Sequence, residues 1–424
     1  MRARDFHLHT TARSGSFLVS RLHKRGRNNS LAGPERVRYS AGMNRAVLWF
    51  TSLLAAAVCA ADFQPSNPPA LGRMFNTNSP AHQALWHFRR GANLGNHLEA
   101  PRTQNWGQRY TAKDFDLIRR EGFDHVRVPV RWNDYAGPAP DYKLTDEILG
   151  NADFLVTNAL ARGLGAILNI HHFDEFTTDP VRQTEKFLAL WRQIAAHYSN
   201  APERLAFELL NEPKDAATTA VMNPIYASAI QIIRATNPRR TIFVGPGKWN
   251  SVDELKNLVL PNGDDNLIVT VHCYEPFLFT HQGATWSGEQ VKTRGIVFPG
   301  PPATPLAPDA TAVKAAPWIT NWFRDYNRKP AAENPSGPKI IAQKMKLAHD
   351  WSAHYGRPVH VGEFGCFVTA DAASRARFHA EYRRVLEQYD LAWALWDWKA
   401  GFHYWDAKTD APAPGLRQAR FGKP

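Results

Sequence analysis

From residue 90 onward the apolar positions fall into two alternating rhythms. Short runs at 90–96, 125–130, 165–172, 205–211, 241–246, 266–274, 358–364 and 392–398 are largely apolar on both faces. Such runs predict strands buried on both sides, as in a parallel sheet. Between them, apolar residues recur three and four apart over 111–121, 145–162, 181–199, 221–236, 250–259, 339–355 and 371–388. That spacing predicts amphipathic helices. Eight strands with intervening helices predict one α/β domain over 81–424, a single (β/α)8 barrel with a long insertion after the sixth strand. An open doubly wound sheet is the alternative, but no Gly-rich phosphate-type turn follows the first strand to support it. The insertion runs from about 287 to 337 and includes Phe298-Pro299-Gly300-Pro301-Pro302. Loops of this length are uncommon and usually functional or mobile. Its Trp318, Trp322, Phe323 and Tyr326 give it apolar surface, so it is expected to dock and wall one end of a cleft, with a surface excursion far from the substrate as the alternative.

The region before the barrel changes how the charge is read. Asn44-Arg45 precedes an apolar run from Ala46 to Val58, followed by Val58-Cys59-Ala60. A short positive region, an apolar stretch and small residues predict a secretory signal peptide over 43–60. The run is shorter than the about 20 residues a bilayer span needs. Residues 1–42 are read as a mis-assigned upstream start, with a basic nucleic-acid-binding arm or a transit peptide as alternatives. Residues 61–80, rich in Pro, Asn and Ser, are a loose lead-in. Residues 1–42 supply +7 and Arg45 +1 of the formal +12, which leaves only +4 for the exported part. The high isoelectric point is therefore no argument for a nucleic-acid partner. The expected protein is secreted or periplasmic, free of the membrane once the signal is cleaved, and a monomer. Lipid anchoring at Cys59 is disfavoured by the bulky Val58 before it. Cys273 and Cys366 end predicted strands and are read as two buried thiols, with a bridge as the alternative.

The candidate chemistry sits at strand ends. Phe207-Glu208-Leu209-Leu210-Asn211-Glu212-Pro213 and Val359-His360-Val361-Gly362-Glu363-Phe364-Gly365 each deliver a carboxylate where a strand breaks. In a barrel, strand ends distant in sequence face one another across one mouth. Two facing carboxylates suffice to cleave a glycosidic bond: one protonates the leaving oxygen, the other attacks or activates water. Other strand ends carry Asn96 and Glu99, Arg127, His171 and His172, Asn211, His272 and Tyr274 with His281 and Trp286 beyond, and Trp396. Any one of these alone reads more simply as structural, but eight strands obeying one rule do not. Glu208 is read as a buried, paired carboxylate of the barrel interior, and Glu99 as either a substrate contact or a structural hydrogen-bonding group. Trp106, Trp249, Trp286 and Trp398 are candidates for outer sugar subsites, some of which must be core.

On these residues the sequence resembles glycoside hydrolase family 5. The matching stretches are Gly91-Ala92-Asn93-Leu94-Gly95-Asn96, Asn211-Glu212-Pro213, Gly362-Glu363-Phe364-Gly365 and Pro276-Phe277-Leu278-Phe279-Thr280-His281-Gln282-Gly283-Ala284. The resemblance spans about 84–410. It implies Glu212 as acid/base on strand four and Glu363 as nucleophile on strand seven. It further implies that Arg127, His172, Asn211, His272, Tyr274 and Trp396 occupy recurrent active-site positions. His171 is ambiguous with His172, because strand neighbours point to opposite faces. The activity so implied is hydrolysis of a β-1,4-linked polysaccharide, most simply as an endoglucanase. A β-mannanase or another β-glucan or xyloglucan hydrolase is the alternative. A catalytically silent carbohydrate-binding barrel is the reading from another class. No metal and no cofactor is expected.

Overall fold

The computed structural model describes residues 79–422. The segments expected at 1–42 and 43–60, and most of the lead-in, lie outside the described residues. Eight parallel strands close into one barrel in sequence order. They are β1 Arg90–Asn93, β2 His125–Val130, β3 Gly165–Ile170, β4 Leu205–Glu208, β5 Ile242–Val244, β6 Leu267–His272, β7 Val359–Glu363 and β8 Ala392–Leu395. Nearly every strand residue is buried, which is why the runs carry no polar alternation. The strands supply both the barrel interior and the layer beneath the surrounding helices. Among the described residues, no helix is long and apolar enough to cross a membrane.

The outer helices include Ala112–Glu121, Asp146–Ala161, Pro180–His197, Thr219–Thr236, Pro338–Tyr355 and Ala372–Gln388, close to their predicted bounds. The 250–259 stretch departs from expectation: only a 3-10 helix, Val252–Asn257, forms there. Helix Pro80–Leu85, capped by Ser79, packs under the barrel with Ala81, Leu85 and Phe88 against Ile167, Ala206, Phe243 and Ile268. A short hairpin, Trp405–Asp406 with Ala411–Pro412, and helix Leu416–Phe421 follow β8 and were not expected from the pattern.

The insertion meets its expectation only at its beginning. Ser287 and Gln290 line the cleft at the carboxyl ends of the strands, and no later residue of the segment does. The remainder is tied to the outer helix Ala372–Gln388. Phe298 packs on Phe279 and Phe378 at ring distances of 5.5 and 5.6 Å. Its N–H donates to Ser374 Oγ, and its carbonyl accepts from Arg377 Nε at 2.7 Å. Of the apolar residues that made a wall plausible, Phe323 and Tyr326 are buried and Trp322 is half-buried beside them, while Trp318 is exposed.

Candidate active site

The carboxyl ends of the strands open into a cleft of about 1260 Å³. Beneath its lining lies Arg127 of β2, wholly buried and not itself part of the cleft wall. Its guanidinium forks onto Glu208 of β4 at 2.7 Å through both Nε and Nη2. Nη1 donates to Glu363 Oε1 at 2.8 Å and to Asn93 Oδ1 at 2.8 Å, and Nη2 donates to Asn211 Oδ1 at 2.7 Å. One planar cation thereby fixes two carboxylates and two amides carried by β1, β4 with the turn just past it, and β7, a geometry that the ammonium of lysine could not supply. Burial alone acts to lower its pKa, but Glu208 and Glu363 beside it more than offset this and hold it above the ordinary arginine value.

Glu363 ends β7 with its side chain only 6% exposed. Its second oxygen accepts from the Tyr274 hydroxyl at 2.8 Å. A register shift between Val271 and His272 sets His272 of β6 opposite Glu363. Burial raises the Glu363 pKa, with the neighbouring Glu212 adding to it, while His272, Arg127 and Tyr274 act to lower it. Its charge therefore depends on donors that reach both oxygens.

Glu212 stands differently. The strand ladder stops at Glu208, three residues earlier than the sequence run suggests, although Asn211 N–H still donates to Ile170 O. Beyond it Glu212 adopts a left-handed backbone, φ 47°. Its side chain is 24% exposed, the more accessible of the pair, and Oε1 lies 2.9 Å from His272 Nδ1. Poor solvation deep in the cleft raises its pKa to about 7, and Arg127 only partly opposes this. His272, also desolvated, is lowered to about 4 and is neutral at working pH. The Glu212–His272 contact thus holds a proton, either on the carboxyl or on Nδ1. One ligand atom each from Glu212, His272 and Glu363 lie within 4.8 Å of one another. Nearest oxygens within that distance place the pair on the side of the about 5–5.5 Å carboxyl spacing of direct attack rather than the about 6.5–9.5 Å of inverting catalysis.

The remaining expected residues divide into two groups. Asn96, His171, His172, Tyr274, His281, Trp286 and Trp396 line the cleft with the two glutamates and His272. The expected opposition of His171 and His172 does not hold. β3 ends at Ile170, so both lie past the strand where alternation no longer applies. His171 stacks on Trp396 at 5.6 Å with the rings 9° from parallel, while His172 meets Trp106 edge to face. His281 stacks on Phe277 and abuts Tyr274, which orients the tyrosine toward Glu363.

Asn211 and Glu99 do not line the cleft. Asn211 is buried beside it and anchored by Arg127, which leaves its amide N–H₂ for any sugar contact. Glu99 is wholly buried, with its carboxylate accepting from the backbone N–H groups of Asn96 and His97. It is a loop-holding group, and burial raises its pKa to about 7. Trp398 is also core, stacked on Trp405 and Tyr404. Trp106, Trp249 and Trp286 are exposed at the cleft by 37%, 53% and 66%. Cys273 and Cys366 are both buried free thiols.

Sequence reasoning missed two residues. Asn93 donates its amide to Gly362 O and Leu395 O, joining β1 to β7 and β8 under Arg127. Its place in the first strand's motif was the available signal. Asn250, which accepts from Glu212 N–H, sits in a turn with no local marker.

Comparisons with known proteins agree with this geometry. The family model described as Cellulase (glycosyl hydrolase family 5) matches residues 90–401. Endoglucanase C of Acetivibrio thermocellus is 31% identical over 331 residues, 74% of this chain and 91% of that protein. Endoglucanase H of the same organism is 29% identical over 307 residues, 72% of this chain, which spans only 29% of that longer protein. The crystal structure of endoglucanase Cel5A from Thermotoga maritima has a TM-score of 0.70 and 33% identity, covering 80% of this chain and 99% of that one. The same enzyme was also crystallised with mannotriose and with cellobiose. With a family model covering most of the barrel and a relative above 30% identity along nearly its whole length, this chain belongs to glycosyl hydrolase family 5, the cellulase family.

Proposed function

We propose that the protein is an endo-β-1,4-glucanase that cleaves its polysaccharide by double displacement with net retention. Glu212 is the acid/base and Glu363 the nucleophile. The observation that carries this reading is the unequal setting of the two acids. Glu363 has hydrogen-bond donors on both oxygens, which favour its ionised form against burial and aim it. Glu212 faces a neutral histidine and has its pKa raised to about 7, so it holds a proton to give.

In the first step Glu363 attacks the anomeric carbon while Glu212 protonates the departing glycosidic oxygen. The old C–O bond breaks as the ester to Glu363 forms. Glu212, now ionised, takes a proton from water, which attacks the same carbon and releases Glu363 as carboxylate. Trp396 gives the reacting sugar a flat apolar floor, and Asn211 offers its amide to the sugar 2-hydroxyl. Exposed Trp106, Trp249 and Trp286 extend the aromatic surface along the cleft for further rings of a polymer. His171, His172, Asn96 and His281 complete the lining around them.

A β-mannanase activity on the same machinery is the second reading, favoured by the mannotriose complex of the related Cel5A. Export by the 43–60 segment and a monomeric state complete the proposal; both rest on sequence alone. Chromatographic product analysis on cellulose, glucomannan, mannan, xyloglucan and mixed-linkage β-glucan tests it. Oligomers from β-1,4-glucan are expected early in the reaction, with the first-formed anomer retained by NMR. Absence of β-1,4-glucan cleavage, or an inverted anomer, refutes it.

A further inference from the structure

We propose that Asn250 is a positioning residue for the proton donor, acting through the backbone of Glu212. The proposal deepens the acid/base reading of Glu212 and rests on it. Lys248, Trp249 and Asn250 form a turn of three consecutive left-handed residues, with φ of 51°, 59° and 55°. None is glycine, so the conformation persists only where surrounding contacts hold it. Two of those contacts reach the segment that carries the acid. Glu212 N–H donates to Asn250 Oδ1 at 2.5 Å, and Trp249 N–H donates to Pro213 O at 3.1 Å. The turn thus brackets Glu212 on both sides of its own left-handed backbone.

The same turn also reaches the partner of that acid. Ser251, the next residue, bridges in parallel to His272. His272 in turn contacts Glu212 Oε1 through Nδ1. Both ends of the Glu212–His272 hydrogen bond are therefore referred to one short stretch of backbone. The turn is also tied to the 3-10 helix that follows it, where the exposed Lys248 Nζ meets Glu254 Oε1 at 2.7 Å and Glu254 accepts from Thr219 Oγ1. Asn250 is fully buried and packs so closely on Gly245 that a Cβ there would lie 1.6 Å from its Nδ2. A side chain so confined has one place to put its carbonyl, and that place is on Glu212 N–H.

A misplacement of about 1 Å in a catalytic group costs about 100-fold, and proton donation contributes about 10²–10⁴-fold. Loss of Asn250 Oδ1 should therefore cost rate only where proton donation matters. The test measures kcat/KM, which reports the first step, on 2,4-dinitrophenyl and phenyl β-cellobioside. Asn250→Ala is expected to lower the phenyl substrate about 10–100-fold. The dinitrophenyl substrate, which leaves without a proton, should stay within about threefold. Glu212→Ala is the reference and should show the same steepening in stronger form; if it does not, the acid/base reading itself fails.

Asn250→Asp keeps an oxygen acceptor and adds a negative charge. It should restore the phenyl rate relative to Asn250→Ala and move the alkaline limb of the pH profile upward, since a like charge favours protonated Glu212. The other charges facing Glu212, namely Arg127, Lys214, Glu208 and Glu363, with neutral His272, are unchanged by this substitution. Equal losses on both substrates, or no loss on either, overturn the proposal. If Asn250→Ala does not fold, the Asn250→Asp limb decides alone, and an unmoved limb is the contrary result.

Discussion

Removal of the Tyr274 hydroxyl should narrow the pH range of activity from its acid side. In Tyr274→Phe, Glu363 Oε1 keeps Arg127, but Oε2 loses its hydroxyl donor. The next polar atom, His272 Nδ1, lies 3.7 Å away, beyond hydrogen-bond reach and already engaged with Glu212. A hydrogen bond to a charged group contributes about 1.5–3 kcal/mol. One pKa unit corresponds to about 1.36 kcal/mol. The hydroxyl favours the ionised form, so its removal should raise the Glu363 pKa by about 1–2 units. The acid limb of kcat/KM, measured on an aryl β-cellobioside, should move up by that amount. The alkaline limb, set by Glu212 at about 7, should stay. Rates one or two units below the optimum should fall about 10–100-fold, and rates at the optimum much less. A uniform loss at every pH with both limbs in place would refute the reasoning. It would mean that the hydroxyl acts on the sugar rather than on the nucleophile's charge.

The alkaline limb tests the Glu212 assignment directly. Above a pKa of about 7 the carboxyl is ionised and cannot donate, so activity on a poor leaving group should decline there, and Glu212→Gln should abolish that limb with an activated substrate. Azide added to Glu212→Ala should yield a glycosyl azide of retained configuration; the same product from Glu363→Ala instead would exchange the roles. Arg127→Met should leave Glu208 and Glu363 buried and unpaired, costing about 3–5 kcal/mol of stability by urea titration; a loss under 1 kcal/mol counts against the pairing described. Trp106→Ala, Trp249→Ala and Trp286→Ala should each weaken polymer KM by about 0.5–1.5 kcal/mol with little effect on a short activated glycoside. Equal effects on both substrates would remove these residues from the outer subsites. Linkage offers a final check. Glu99 and Asp397 are buried acids raised to about 7, so they favour the folded state below their unfolded pKa values, and that contribution is lost as pH rises toward 7. Thermal melting should reflect this as a lower midpoint at pH 8 than at pH 5, with a shallower dependence in Asp397→Asn.

The barrel was legible in the sequence because parallel strands buried on both faces leave continuous apolar runs, while their covering helices leave a 3.6-residue period. The same logic picked out the candidate site: a polar residue within or ending a buried run needs a reason, and Arg127, Glu212, His272 and Glu363 lie in one polar cluster. Local pattern reports how deeply a residue is buried, but not what it meets across the barrel. Glu99 and Trp398 have the composition of cleft residues, yet the loops after β1 and β8 turn them inward. His171 and His172 both reach the cleft only because β3 ends one residue before them. Of the aromatic residues from which docking of the 287–337 segment was predicted, Phe323 and Tyr326 are buried but Trp318 is exposed, and the tie to helix Ala372–Gln388 runs through Phe298 instead. The turn at 248–250 was hidden entirely, since its left-handed backbone has no glycine to announce it. It is held by Pro213 O and Glu212 N–H, groups more than 30 residues away in sequence. Such contacts come into being only when the closing of the barrel sets β4, β5 and β6 side by side, and the backbone setting of Glu212 includes them.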